Sequence, residues 1–329
     1  MLSQKRLLNL LKTLFAVGIV YWVVANDMLD WQLILELSRS NQLLILMSIQ
    51  LVQILFNAMR WYYLVRGQGL MIPFGKSLSL TFISLLFNLI TPGGAGGDFF
   101  KGYYLLKMFP KQKMLAAMGL VMDRFFGLLA VAFLCVLAFA IDGVMLLETK
   151  KTLFTMGLFA TAVFMGLIGV LVLAMFTRFE QTKLAKLIFN KLWGGHLIES
   201  FFAAFAAYAQ HKQSLLIAFV TALVSQLTII TTFWLVAGSM GVKASIESYL
   251  FVVPIGLFAS MLPLTPGGVG VGQVAFMTLF NLYLGKETAL GATAFSVYQL
   301  TLLLWGSIGL IAYQRQGVKA EEAQKETLG

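Results

Sequence analysis

The sequence predicts an all-α polytopic membrane protein, with about six full transmembrane helices and two re-entrant helical hairpins in inverted repeats. Three observations lead there. Of 329 residues, 59% are hydrophobic and only 12% charged, roughly half the ~25% of an ordinary soluble domain, and the mean hydropathy is +0.86. Several uninterrupted apolar runs reach the ~20 residues that a helix needs to cross a bilayer. Two further apolar stretches are each broken by a Thr-Pro-Gly-Gly sequence, where proline and paired glycines end a helix.

Lys5, Arg6 and Lys12 precede an apolar run ending near Ala25. It reads as a retained first span, because it is longer than the apolar core of a secretory signal and carries Tyr21 and Trp22 at an interfacial position. Cleavage after Ala25 is the competing reading. Full spans follow at about 43–64, 113–140, 152–176, 214–238 and 290–313. One broken stretch runs from Phe74 to Leu106 around residues 91–97, and the other from Ser248 to Leu284 around 265–271. Between spans, 178–212 reads as an amphipathic connector split at Gly194-Gly195, with Lys183, Lys186 and Lys191 against Leu184, Leu187 and Ile188. A polar tail, 315–329, closes a single integral membrane domain, 1–329, whose remaining stretches are too short for an independent soluble fold.

Basic residues set the expected topology. With the N-terminus cytoplasmic and each broken stretch returning to the side it left, only Arg39, Lys150, Lys151, Lys243 and Lys286 fall outside and Arg124 within a span. All other lysines and arginines are then cytoplasmic, as the positive-inside rule requires, and so is the C-terminus. If both broken stretches crossed instead, the residues between them would change sides and the asymmetry would be lost. Hairpins also make the halves 43–140 and 214–313 inverted copies, and paired interrupted segments in inverted halves point to a transporter's substrate site.

The composition excludes much. A lone Cys135 permits no intrachain disulfide, and His196 and His211 stand in no metal-ligand spacing, so neither a metal nor a cofactor is expected. The net charge of +10 follows from the membrane-side bias and calls for no nucleic-acid partner. No nucleophile–base pair, acidic D-x-x-D cluster or ATP-binding motif is visible, so the chain is not expected to be an enzyme.

Candidate substrate contacts fall in three groups. The first is the breaks themselves: Thr91, Pro92, Gly93, Gly94, Gly96 and Gly97, and their counterparts Thr265, Pro266, Gly267, Gly268 and Gly270. Irregular backbone in hydrocarbon survives only when buried in protein or lining a polar cavity. Glycines leave amides uncovered at the positive end of the next half-helix, an arrangement that favours phosphate; close packing of small residues is the plainer reading. The second group is charged. Asp98 starts the second half-helix and Lys101 follows one turn later, as an N-cap with a snorkelling lysine or as headgroup contacts, Asp98 pairing with Lys101 or Arg124. Asp123 and Arg124 lie about ten residues into a span, where charge marks a substrate path or an internal salt bridge. Arg60, sharing a helix face with Asn57, is a headgroup contact or an interfacial anchor. The third group, Gln273, Tyr298 and Gln299, is uncharged, so the first half is expected to carry charge recognition.

The segments Asn57-Ala58-Met59-Arg60-Trp61, Phe87 to Asp98, Asp123 to Leu128 and Leu264 to Gly272 together resemble the lysylphosphatidylglycerol synthase/flippase transmembrane-region family. The resemblance covers nearly the whole chain. It implies a prokaryotic inner-membrane protein that moves lipid between leaflets, in a form lacking the acyltransferase domain of fused members and therefore not expected to make lysyl-lipid. Gln273 stands where the family often has an acidic residue, and Lys101 where it often has arginine.

The expected function is a flippase or scramblase moving an anionic phospholipid, or another phosphate-bearing lipid, with the membrane and its lipid as the partners and a homodimer unsurprising. A membrane-embedded enzyme acting on a lipid phosphate and an assembly or regulatory partner in a lipid or glycan pathway are the alternatives. Passive scrambling and gradient coupling are both open.

Overall fold

A computed structural model describes residues 41–176 and 212–326 apart from Pro92 and Ala95, together with Gln32, residues 35–37 and Tyr208. The expected first span, 1–25, and nearly all of the connector 178–212 lie outside the described residues. Among those described, all regular structure is helical.

Five helices are long and apolar enough to cross a membrane: α1 (Asn41–Gly67), α4 (Lys113–Thr149), α5 (Lys151–Phe176), α6 (Lys212–Ser239) and α9 (Leu290–Glu326). Each contains one span expected from hydrophobicity. The chain is an all-α, multi-pass membrane protein. The broken stretches form two pairs of short helices, α2 (Phe74–Ile90) with α3 (Gly96–Met108), and α7 (Ile246–Ser260) with α8 (Val271–Leu284). At ~1.5 Å per residue, α3, α7 and α8 each measure about 20–22 Å, short of the ~30 Å hydrocarbon layer. Two boundaries differ from expectation. Helix α4 continues nine residues beyond 140, until Lys150 leaves helical backbone at φ −145°, and α9 runs on through the polar tail to Glu326. Apolar content locates the span, whereas the helix ends only where a backbone break intervenes.

The described chain forms two compact units. One takes in the chain up to Ile54, Leu78–Lys101 and the chain from Thr228; the other takes in Leu55–Ser77 and Gly102–Leu227. In the first, α7 packs on α8 and α8 on α9, around Phe233, Phe276, Phe280 and Phe295, whose rings stack or tilt against one another. Close helix approach rests on missing side chains: a Cβ at Gly291 would overlap the Phe276 carbonyl, and one at Gly309 the Phe82 carbonyl. Without a hydrophobic force between helices in lipid, such small-residue contacts provide the packing. Polar ties join α1 to α9: Gln50 Nε2 donates to Thr301 Oγ1 at 3.1 Å, Gln53 Nε2 to the Tyr298 hydroxyl at 3.2 Å, and the Trp305 indole to the Met47 carbonyl at 3.1 Å.

In the second unit, α4 and α5 pack along each other, with Phe139 occupying the space left at Gly157. Leu64, Met118, Met122, Phe125, Phe126, Leu129, Tyr208 and Leu215 form its core. The Tyr208 hydroxyl donates to the Leu64 carbonyl, and Ser225 Oγ donates to Asn57 Oδ1 at 3.0 Å.

Candidate functional site

The two Thr-Pro-Gly-Gly breaks, both in the first unit, are hydrogen-bonded to each other. The Gly93 amide donates to the Thr265 carbonyl at 3.3 Å, and the Gly267 amide to the Thr91 carbonyl at 3.0 Å. Each threonine carbonyl also accepts within its own turn, Thr91 from Gly94 at 3.2 Å and Thr265 from Gly268 at 3.3 Å. Exchanging the halves at an offset of 174 residues, Thr91 for Thr265 and Gly93 for Gly267, maps this four-bond set onto itself. The glycines make it achievable. Gly93 and Gly267 have φ of 67° and 56°, the left-handed backbone that a turn with proline in its second position places on the third, and Gly94 and Gly268 beside them have φ of 64° and 73°. An added Cβ at Gly93 would lie 2.7 Å from the Met261 carbonyl, and one at Gly267 2.8 Å from that of Leu89.

Beyond the crossing the two breaks diverge. At the first, Asn88 and Thr91 cap α3 locally: Thr91 Oγ1 accepts from the Gly96 amide at 2.8 Å while donating to the Phe87 carbonyl, and Asn88 Oδ1 accepts from Gly97 at 2.7 Å. Asp98 follows, half-buried in the first turn of α3 where the helix dipole favours a carboxylate, and then Lys101, only 5% exposed. At the second, Gln273 Oε1 accepts from the Gly270 amide at 2.7 Å, while its Nε2 donates to Ser296 Oγ at 3.1 Å and Gln299 Oε1 at 2.8 Å. Gln299 Nε2 completes the loop on the Gly267 carbonyl at 2.9 Å. Thr265 Oγ1, fully buried, makes no hydrogen bond among the described residues. Tyr298 is turned to Gln53.

One expectation is corrected here. The amides of Gly93, Gly94, Gly96, Gly97, Gly267, Gly268 and Gly270 are engaged by protein acceptors, so they form no open cradle for phosphate. Unpaired backbone is too costly in hydrocarbon to be left waiting for a ligand, and nearby Asn, Thr and Gln side chains supply what the helix ends lack.

The charged pair of the second unit is also rearranged relative to the sequence. Asp123 is bonded by Arg60, whose Nε lies 2.6 Å from Oδ1, with side chains only 12% and 7% exposed. Arg124, its neighbour in sequence, is exposed on α4, since consecutive helical residues point about 100° apart. Gly127, one turn beyond Asp123, lies alongside the guanidinium: a Cβ there would be in ordinary van der Waals contact with Arg60 Nη1, at 3.7 Å. Sequence reading missed Asn88, Gly127, Gln50 and Gln53. The two glutamines stand three apart inside an apolar span, and that spacing was the available signal. Among the described residues no group of histidine, cysteine or carboxylates is placed to hold a metal.

The fold and these two centres define a polytopic membrane protein built around paired, interrupted helices, with buried charge in its helical core. Residues 9–307 match the family model described as the lysylphosphatidylglycerol synthase TM region, and the chain belongs to that family. Neither a curated protein nor a solved structure matches it.

Proposed function

We propose that this chain is a lipid transporter, a flippase or scramblase that moves an anionic or other phosphate-bearing phospholipid across the inner membrane, with both termini cytoplasmic. The observation that carries the reading is the exchange-symmetric bonding of the two helix breaks. Transporters place substrate sites where discontinuous helices of inverted repeats meet, and move one repeat against the other. The short helices flanking each break support re-entrant hairpins. The family's printed name, which concerns the synthesis of a phospholipid derivative, supports a lipid as the substrate class.

Because the crossing satisfies its own amides, the headgroup contacts in this proposal come from side chains. Lys101 is the leading one: an ammonium buried on a helix that begins at the break is costly in hydrocarbon and is typical of a functional position. The test is reconstitution into liposomes with fluorescently headgroup-labelled phosphatidylglycerol, phosphatidylethanolamine or cardiolipin, read by dithionite quenching with and without a proton gradient. We expect loss of the protected inner-leaflet signal with wild type, slowed about tenfold or more by Lys101→Ala. Folded protein that moves no lipid under either condition would remove the reading.

A further inference from the structure

Among the described residues, Arg60 is held by one edge. Its Nε is bonded to Asp123, and among the described residues neither Nη1 nor Nη2 makes a hydrogen bond. A guanidinium offers five donors in a planar fork, and its Nη pair matches two oxygens of one phosphate. Here the fork is fixed in direction by the carboxylate, with Nη1 alongside Gly127 of the carboxylate's own helix. Arg60 lies seven residues from the end of α1 and Asp123 ten from the start of α4, so at ~1.5 Å per residue the pair is about 10–15 Å from the nearest helix ends. A membrane anchor would reach toward the interface instead. An arginine tethered inward, with a donor pair that makes no hydrogen bond among the described residues, is arranged to meet an anion that descends to it.

We propose that the Nη edge of Arg60 is a binding site for a phosphate monoester or diester, and that Asp123 is a positioning residue which holds the fork toward it. This deepens the lipid-transport reading and rests on it for the source of the phosphate, a lipid headgroup. Asp123 faces the Nε edge, so the phosphate approaches the side of the guanidinium away from the carboxylate.

The experiment measures thermal protection of the purified full chain by dihexanoyl phosphatidylglycerol, by inorganic phosphate and by dihexanoylglycerol, which lacks phosphate. We expect the phosphate-bearing lipid to protect and dihexanoylglycerol not to. Protection by inorganic phosphate at equal concentration would name the free anion as ligand of the same site. In Arg60→Gln/Asp123→Asn, a neutral amide pair replaces the ion pair and avoids leaving a buried charge alone; it should fold, as judged by size-exclusion profile and unperturbed melting, and bind at least about tenfold more weakly. Arg60→Lys keeps the charge without the fork and should also weaken binding. Equal protection of wild type and the double variant, equal protection by dihexanoylglycerol, or no protection by either phosphate probe overturns the site. Lipid movement in the same preparations separates the two readings. Binding without movement removes transport and leaves the site; movement without binding at Arg60 removes the site and leaves transport.

Discussion

The two helix breaks share a turn and differ in how they are sealed. The first is closed by its own neighbours, Asn88 and Thr91, and leads into Asp98 and the buried Lys101. The second is closed by Gln273, which leans on Gln299 and Ser296 of α9, and carries no charge. A locally sealed break stays intact when the helices around it move. One sealed by a neighbouring helix is stable only while that helix is in place. Beyond the main-chain crossing that the two share, the side-chain seal of the charged break is therefore local, and that of the uncharged one is tied to α9.

Substitutions at equivalent positions should separate the two, and the glycines give the largest effect. A Cβ at Gly268 would overlap the Ser260 carbonyl, whereas at its counterpart Gly94 the nearest atom is 3.9 Å away. Both have positive φ, so both alanine variants carry backbone strain, but only one meets a clash. We expect Gly268→Ala to cost about 3 kcal/mol and Gly94→Ala about 1 kcal/mol in unfolding free energy measured in bicelles. Similar losses would mean that the turns are not constrained as the structure has them.

The caps come next. Gln273→Leu leaves the Gly270 amide and the Gln299 carbonyl unpaired in a buried setting, and should cost about 2 kcal/mol. Asn88→Ala removes one cap from the first break, at about 1 kcal/mol. Hydrogen exchange offers a sharper readout: Gln273→Leu should release amides in α8 and along α9 together, while Asn88→Ala affects only the start of α3. Exchange confined to α8 in the first variant would refute the tie to α9.

The smallest effect is the most diagnostic. Thr91→Val removes an oxygen that both accepts from Gly96 and donates to Phe87, and should cost about 1 kcal/mol. Thr265→Val removes a buried hydroxyl with no bond among the described residues, and should be neutral within about 0.5 kcal/mol or stabilising. Paired thermal melts of these near-isosteric variants would check this, and equal destabilisation would show that Thr265 has a partner after all.

Much of this was legible in the sequence. The five spans followed from apolar run length, and the repeated TPGG marked both breaks, because proline and glycine act locally. The partner of Asp123 was not legible. Arg60 stands 63 residues away, and which helix faces it is decided by packing that no local pattern encodes. The expected open amides failed for a related reason. Sequence shows where a helix must end but not which side chains turn back to cap it, and Asn88 and Gln273 lie on opposite sides of their breaks.

The crossing of the breaks is written entirely in main-chain atoms. Side chains on either turn are free to diverge as long as the third and fourth positions lack a Cβ. A bond set that maps onto itself when the halves are exchanged has the form of a self-complementary contact between two identical subunits. Each turn gives the other one donor and takes one in return, so whatever parts the two breaks costs both of them equally.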